Sequence, residues 1–210
     1  MRNRVRYARW LIVIVYLVGW IGLSLPFTRP LFIDLTPLNL LFGGILLTLF
    51  HRDFRRNQFI GFLIVFVGGF LVELVGVQTG LVFGDYHYGS ALGLRIGETP
   101  LLIGINWLML IYMIYHFLQD WKISLLLKSF IGAFVMVAYD LLLEPVAPRL
   151  DFWYWLDGAI PLQNYLAWWV IAFIFFLVWN AMGIRYKNRI AETLLSMQLA
   201  FFLLLNITLG

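Results

Sequence analysis

Seven apolar stretches fill most of the 210-residue chain, over about residues 9–25, 36–50, 58–76, 100–117, 123–143, 164–182 and 190–209. Runs of this length with few charges are what a bilayer core about 30 Å thick selects, and a water-soluble domain has no use for so many. The overall balance agrees: 62% of residues are hydrophobic, 12% are charged, and the mean hydropathy is +0.88. The expectation is an all-α polytopic membrane protein, a bundle of about seven transmembrane helices forming a single integral membrane domain over 1–210. The first stretch follows four arginines without an acid and lacks a convincing small-residue cleavage site near Ser24-Leu25-Pro26, so it counts as a span rather than a cleaved leader. Thr36-Pro37 has the composition of a helix N-cap followed by a first-turn proline, and Pro100 is placed to open span four.

The basic residues sit in the gaps. Counting sides alternately, twelve of the fifteen Lys and Arg residues share one side, and Arg29, Arg95 and Arg149 lie on the other. That asymmetry predicts a cytoplasmic N-terminus and an external C-terminus in a bacterial-type inner or cytoplasmic membrane. The net charge of +4 is therefore a topology signal, and no nucleic-acid partner is read from it. With no cysteine, disulfides and thiolate clusters are excluded, and no histidine pair has metal-ligand spacing, so no metal site is expected.

Acids gather toward the external end, and one lies inside a span. Glu73 falls roughly 21 Å along its helix from Phe59 at about 1.5 Å per residue. A carboxyl at such depth costs roughly 2.5–3.5 kcal/mol on insertion scales and marks either function or an ion pair, here with Arg95 or Arg149. Asp140 and Glu144 are four apart and share a helix face if span five reaches Pro145. They are either a coupled acid pair or a solvated helix end paired with Arg149. Gly76, Gly80 and Gly84 predict a small-residue packing face, or a re-entrant loop if the helix ends sooner. Tyr86, Tyr88, Trp153, Tyr154 and Trp155 suit an interfacial aromatic belt, or a wall that steadies a cation. Asn106 and Asn164 can hold water or pin a neighbouring helix. A retinal-binding reading of seven spans would need a lysine in the last one, and Ile190 to Gly210 has none.

Two stretches carry a resemblance. ELVGVQTGLVFGDYHYGSALG (73–93) with Pro100 and Trp107, and DLLLEPVAPRLDFWYW (140–155) followed by IPLQNYLAW (160–168), resemble the carotenoid biosynthesis protein family. Its characterised members are carotenoid 1,2-hydratases, bisanhydrobacterioruberin hydratases among them. Many members carry aspartate before Pro-Val-Ala, where this chain keeps the carboxyl as Glu144. The resemblance implies a long apolar polyene substrate taken from the lipid bilayer and acid-catalysed addition of water to a terminal double bond, with no cofactor. The implied catalytic set is Glu73, Asp140, Glu144 and Asp85: Glu73 or Asp140 donates the proton, and Glu144 and Asp85 hold water. Tyr86, His87, Tyr88, Asn106, Trp107, Trp153, Trp155 and Asn164 are the implied substrate-binding residues, with Trp107, Tyr86 and Trp155 lining the cation. The same protonation would give a carotenoid cyclase or isomerase if an internal double bond captured the cation first. Buried carboxyls also serve non-catalytic lipid-binding or small transport proteins, although no internal repeat is visible.

Overall fold

A computed structural model describes residues 2–209. Its helices are α1 (Arg2–Ser24), α2 (Arg29–Asp34), α3 (Thr36–Phe50), α4 (Arg56–Thr79), α5 (Leu102–Leu118), α6 (Leu125–Leu143), α7 (Leu162–Ala181) and α8 (Ala191–Leu209). Short strands β1 (Tyr86–Tyr88), β2 (Arg95–Ile96), β3 (Thr99–Pro100) and β4 (Trp153–Trp155) lie in the loops at one end. The chain is an all-α membrane protein. Five helices, α1, α4, α6, α7 and α8, are each long and apolar enough to cross a bilayer. The other two apolar helices, α3 and α5, are 15 and 17 residues long.

Their shortness has a physical reason in each case. Leu35 joins α2 to α3 in helical conformation, with Leu35 N–H donating to Leu31 O and Asn39 N–H to Leu35 O, but Pro37 has no N–H to give, so α3 starts afresh rather than continuing α2. What the sequence reads as a connection is thus helical over Arg29–Asp34. Helix α5 is the central element, packed against α3, α4, α6, α7 and α8 and buried over most of its length. Surrounded by protein, it need not match the hydrocarbon thickness. The outer helices turn large apolar side chains such as Leu17, Ile21, Leu63, Leu71, Phe134 and Ile174 outward, as lipid requires.

Two boundary expectations are corrected. Pro100 does not open a helix: it pairs with Arg95 across β2 and β3, and α5 begins at Leu102. The cap of α3 is Leu35, with Thr36 already inside the helix. The glycines of 76–84 are likewise no continuous packing face. Gly80 ends α4 in the left-handed conformation (φ 67°), its N–H donating to Gly76 O at 2.9 Å. A side chain at Gly80 would also collide with the Asp85 carboxylate, which occupies that space.

At the end rich in basic residues, a buried clasp ties two loops to α3, α4 and α5. His51 Nδ1 meets Tyr112 Oη at 2.8 Å and His51 Nε2 meets Gln58 Oε1 at 3.2 Å, while Asn188 Nδ2 donates to both Tyr112 Oη and Leu47 O. At mid-bundle, Gly69 lets α4 close on α5, since a Cβ there would lie 2.7 Å from Trp107 Cβ. Gly69→Leu should therefore lower the thermal midpoint in detergent, because overpacking costs about 1–3 kcal/mol and outweighs the ~1 kcal/mol helix-propensity gain on losing glycine.

Candidate active site

The site forms where α4, α6 and α7 end beneath a two-stranded ribbon. Strand β1 pairs antiparallel with β4, matching Tyr86 with Trp155, His87 with Tyr154 and Tyr88 with Trp153. Alternation along the ribbon turns Tyr86 and Tyr88 inward and His87 outward. The aromatic residues of both strands supply donors to carboxyls below. Tyr86 and Tyr88 hydroxyls donate to Glu73 Oε2 at 2.6 and 2.7 Å, and Trp107 Nε1 donates to Glu73 Oε1 at 2.9 Å. Trp155 Nε1 and Trp153 Nε1 donate to Glu144 Oε2 at 2.8 and 3.1 Å. Asn164, in the first turn of α7, donates through Nδ2 to Asp140 Oδ2 at 2.8 Å and Glu144 Oε1 at 3.1 Å.

Three carboxyls are thus buried together, and no ion pair among the described residues neutralises them. Arg95 pairs with Glu98 at 3.8 Å and donates to Gly89 O, and Arg149 is exposed. Neutral donors take the place of cations, so no counter-ion holds the three carboxyls in the ionised form. Burial pushes the Glu144 carboxyl above its ordinary value, Trp155 and Trp153 pull it down, and the Glu73 charge adds to the rise. Burial and the Glu73 charge also hold the Tyr86 and Tyr88 hydroxyls well above their ordinary value, which keeps them donors.

The carboxyls do not stand alike. Glu73 and Glu144 face each other across a cavity of about 20 Å³, which is also lined by Tyr86, Asn106, Trp155 and Trp168. That volume is room for about one water. Asp140 is fully buried behind Asn164, and its Oδ1 has no hydrogen-bond partner. The cavity shares Ile103, Asn106 and Trp153 with a groove of about 500 Å³ between α1, α3, α5 and α8, whose walls are almost wholly apolar.

Of the expected residues, Glu73, Glu144, Tyr86, Tyr88, Asn106, Trp153, Trp155 and Asn164 surround this cavity. Trp107 holds Glu73 from behind, stacked on Trp168 at 4.4 Å. Asp85 and His87 stand elsewhere. Asp85 is exposed over Gly80, and His87 is exposed and stacked on Tyr154 at 5.3 Å. The resemblance implies both as site residues, but the two-residue period of β1 turns His87 to the opposite face from Tyr86 and Tyr88, and Asp85, just before the strand, is exposed. Phe83, Ile103 and Trp168 also line the cavity and carry no polar signal that would single them out in the sequence. Asp151 fixes the ribbon's far end, accepting from Ser90 N–H at 2.7 Å and Tyr154 Oη at 2.9 Å. Slight burial pushes its carboxyl up, but the Ser90 and Tyr154 donors and the Arg95 charge outweigh this and hold it below its ordinary value. Among the described residues no group of three His, Asp or Glu side chains is arranged to hold a metal ion.

The sequence model of a family described as "Carotenoid biosynthesis protein" matches residues 35–209. The chain is also similar to a curated protein named bisanhydrobacterioruberin hydratase from Haloarcula japonica, 27% identical over 145 residues, covering 63% of this chain and 50% of the relative. It therefore spans about half the length of that relative. No solved structure matches the chain.

Proposed function

Since the chain belongs to the carotenoid biosynthesis protein family, we propose that it is a hydratase, adding water to the terminal 1,2 double bond of an acyclic carotenoid end group by acid catalysis. One observation carries this reading: a cavity sized for a single water, walled by two carboxyls, lies against an apolar groove, the two sharing Ile103, Asn106 and Trp153 in their walls. The polyene lies in the groove with its terminal double bond at the shared wall, and the water lies in the cavity.

Asp140 and Glu144 share one amide donor, so two negative charges there would repel at short range and the pair keeps a proton. Glu144 is the member facing the cavity and delivers that proton to the less substituted alkene carbon. The tertiary cation formed is met by the faces of Tyr86 and Trp155. Glu73 and Glu144 each accept three hydrogen bonds through both oxygens, so what separates them is the neighbour: Glu144 shares a donor, and with it a proton, with Asp140, while Glu73 shares none of its donors with another carboxyl and takes the ionised role. Glu73 thus holds water against the cation and takes the proton released as the C–O bond forms, leaving a tertiary alcohol. Proton exchange between the two glutamates resets the site. This assignment departs from the expected roles because Asp140 does not reach the cavity and Asp85 lies outside it.

We also infer a single membrane domain over 1–210 with the basic end in the cytoplasm, placing the site near the external surface of a bacterial-type inner or cytoplasmic membrane. The direct test is expression in a lycopene-accumulating host. A pigment heavier by one water supports hydration, an isomer of unchanged mass supports cyclisation, and unaltered pigment bound to purified protein overturns both.

A pH profile tests the donor. The active form of Glu144 is the protonated one, and burial raises its pKa, so turnover should persist above the ordinary carboxylic range and fall as pH rises through the raised pKa. A rate of pigment hydration in detergent that stays flat over this interval would remove Glu144 as the acid.

A further inference from the structure

The apolar groove contains one polar patch that hydration does not use. Tyr16 on α1, Asn39 on α3 and Gln198 on α8 line it together, with the Tyr16 hydroxyl beside both amides. Asn39 Oδ1 and Gln198 Oε1 are buried and have no hydrogen-bond partner, and Gln198 is only 3% exposed. Leaving two acceptors unpaired in lipid is unfavourable, and the helices gain nothing from it unless a donor arrives. By helical rise Tyr16 lies roughly 12 Å below the Ser24 end of α1, a depth from which bulk water is excluded.

The donor's chemistry follows from the walls. No residue lining the groove is charged, which disfavours an ammonium or any ionised headgroup. Apart from Thr36 and Asn106 the remaining lining is apolar, and the acid cavity shares Ile103, Asn106 and Trp153 with it. We propose that Tyr16, Asn39 and Gln198 form a second recognition site for the hydroxyl of an isoprenoid alcohol, whose O–H donates to the unpaired amide oxygens while its chain fills the groove. The site would select polyenes that already carry a hydroxyl over plain hydrocarbons. It rests on the proposed function only in taking the groove's occupant to be an isoprenoid chain.

The test uses purified full-length protein in detergent, with geranylgeraniol and its methyl ether as probes and quenching of tryptophan fluorescence as the readout. The ether keeps the oxygen and loses only the donated proton. Wild type should bind the alcohol about tenfold more tightly, the worth of one ordinary hydrogen bond. Asn39→Leu with Gln198→Leu should bring the two ligands within about twofold, and the helical fold, checked by circular dichroism, should survive because leucine suits the apolar surroundings. Equal binding of alcohol and ether by wild type, the result if water alone occupies the patch, overturns the proposal, as does a preference that survives the double variant. Since binding is read without turnover, loss of the hydratase reading would leave this result standing, and the reverse also holds.

Discussion

Glu144→Gln should leave hydration about 10²–10⁴-fold below wild type, the usual contribution of a positioned acid, while the protein still folds. The amide has nearly the shape of the acid and can still accept from Trp153 and Trp155, but it carries no transferable proton. Glu73→Gln should fall by a similar factor, because water then has no base across the cavity. Asp140→Asn separates the roles. Behind Asn164 and away from the cavity, it should cost less than either glutamate. Product formed per unit of folded protein decides the matter, and Glu144→Gln with undiminished turnover would end the assignment.

Replacing both Tyr86 and Tyr88 with phenylalanine should destabilise the protein strongly. It strips two of the three donors from Glu73 and leaves Trp107 alone. Hydrogen bonds to a charged group are worth about 1.5–3 kcal/mol each, and leaving a buried charge without partners costs about 3–5 kcal/mol, so a loss of that order is expected in thermal unfolding. Adding Glu73→Leu to the double variant should recover much of it, because removing donor and acceptor together is close to neutral. If the triple variant melts no higher than the double, the tyrosines act through packing of the ribbon rather than through the carboxylate.

How much of this was legible in the sequence depended on how local each constraint is. Lipid demands long apolar runs, so helices such as α4, α6 and α7 could be read within a few residues, and an acid interrupting one stands out, as Glu73 did. Asp140 and Glu144 were found by helical spacing alone, and Asn164 ties them together. What compensates Glu73 was not legible. An arginine was the obvious alternative, whereas the partners are three neutral donors, two from a three-residue strand. Strands this short leave no periodic signature, and Trp153-Tyr154-Trp155 is equally consistent with an interfacial belt. The cap at Leu35 and the strand at Pro100 were obscured because each proline is compatible with a helix start. Asn39 and Gln198 passed unnoticed because a lone amide in a span is unremarkable until its neighbours are known.

The ribbon's two strands come from opposite sides of α5 and α6 in the chain, one supplying two of the three donors for Glu73 and the other two of the three for Glu144. Neither half of the polypeptide can build a working centre alone, so catalytic competence arises only after the intervening pair of helices has entered the bilayer and brought the loops into register. Separately expressed fragments divided between Gln119 and Ser124, where α5 has ended and α6 has not begun, should each be inert and regain turnover when co-inserted, making activity a reporter of completed assembly.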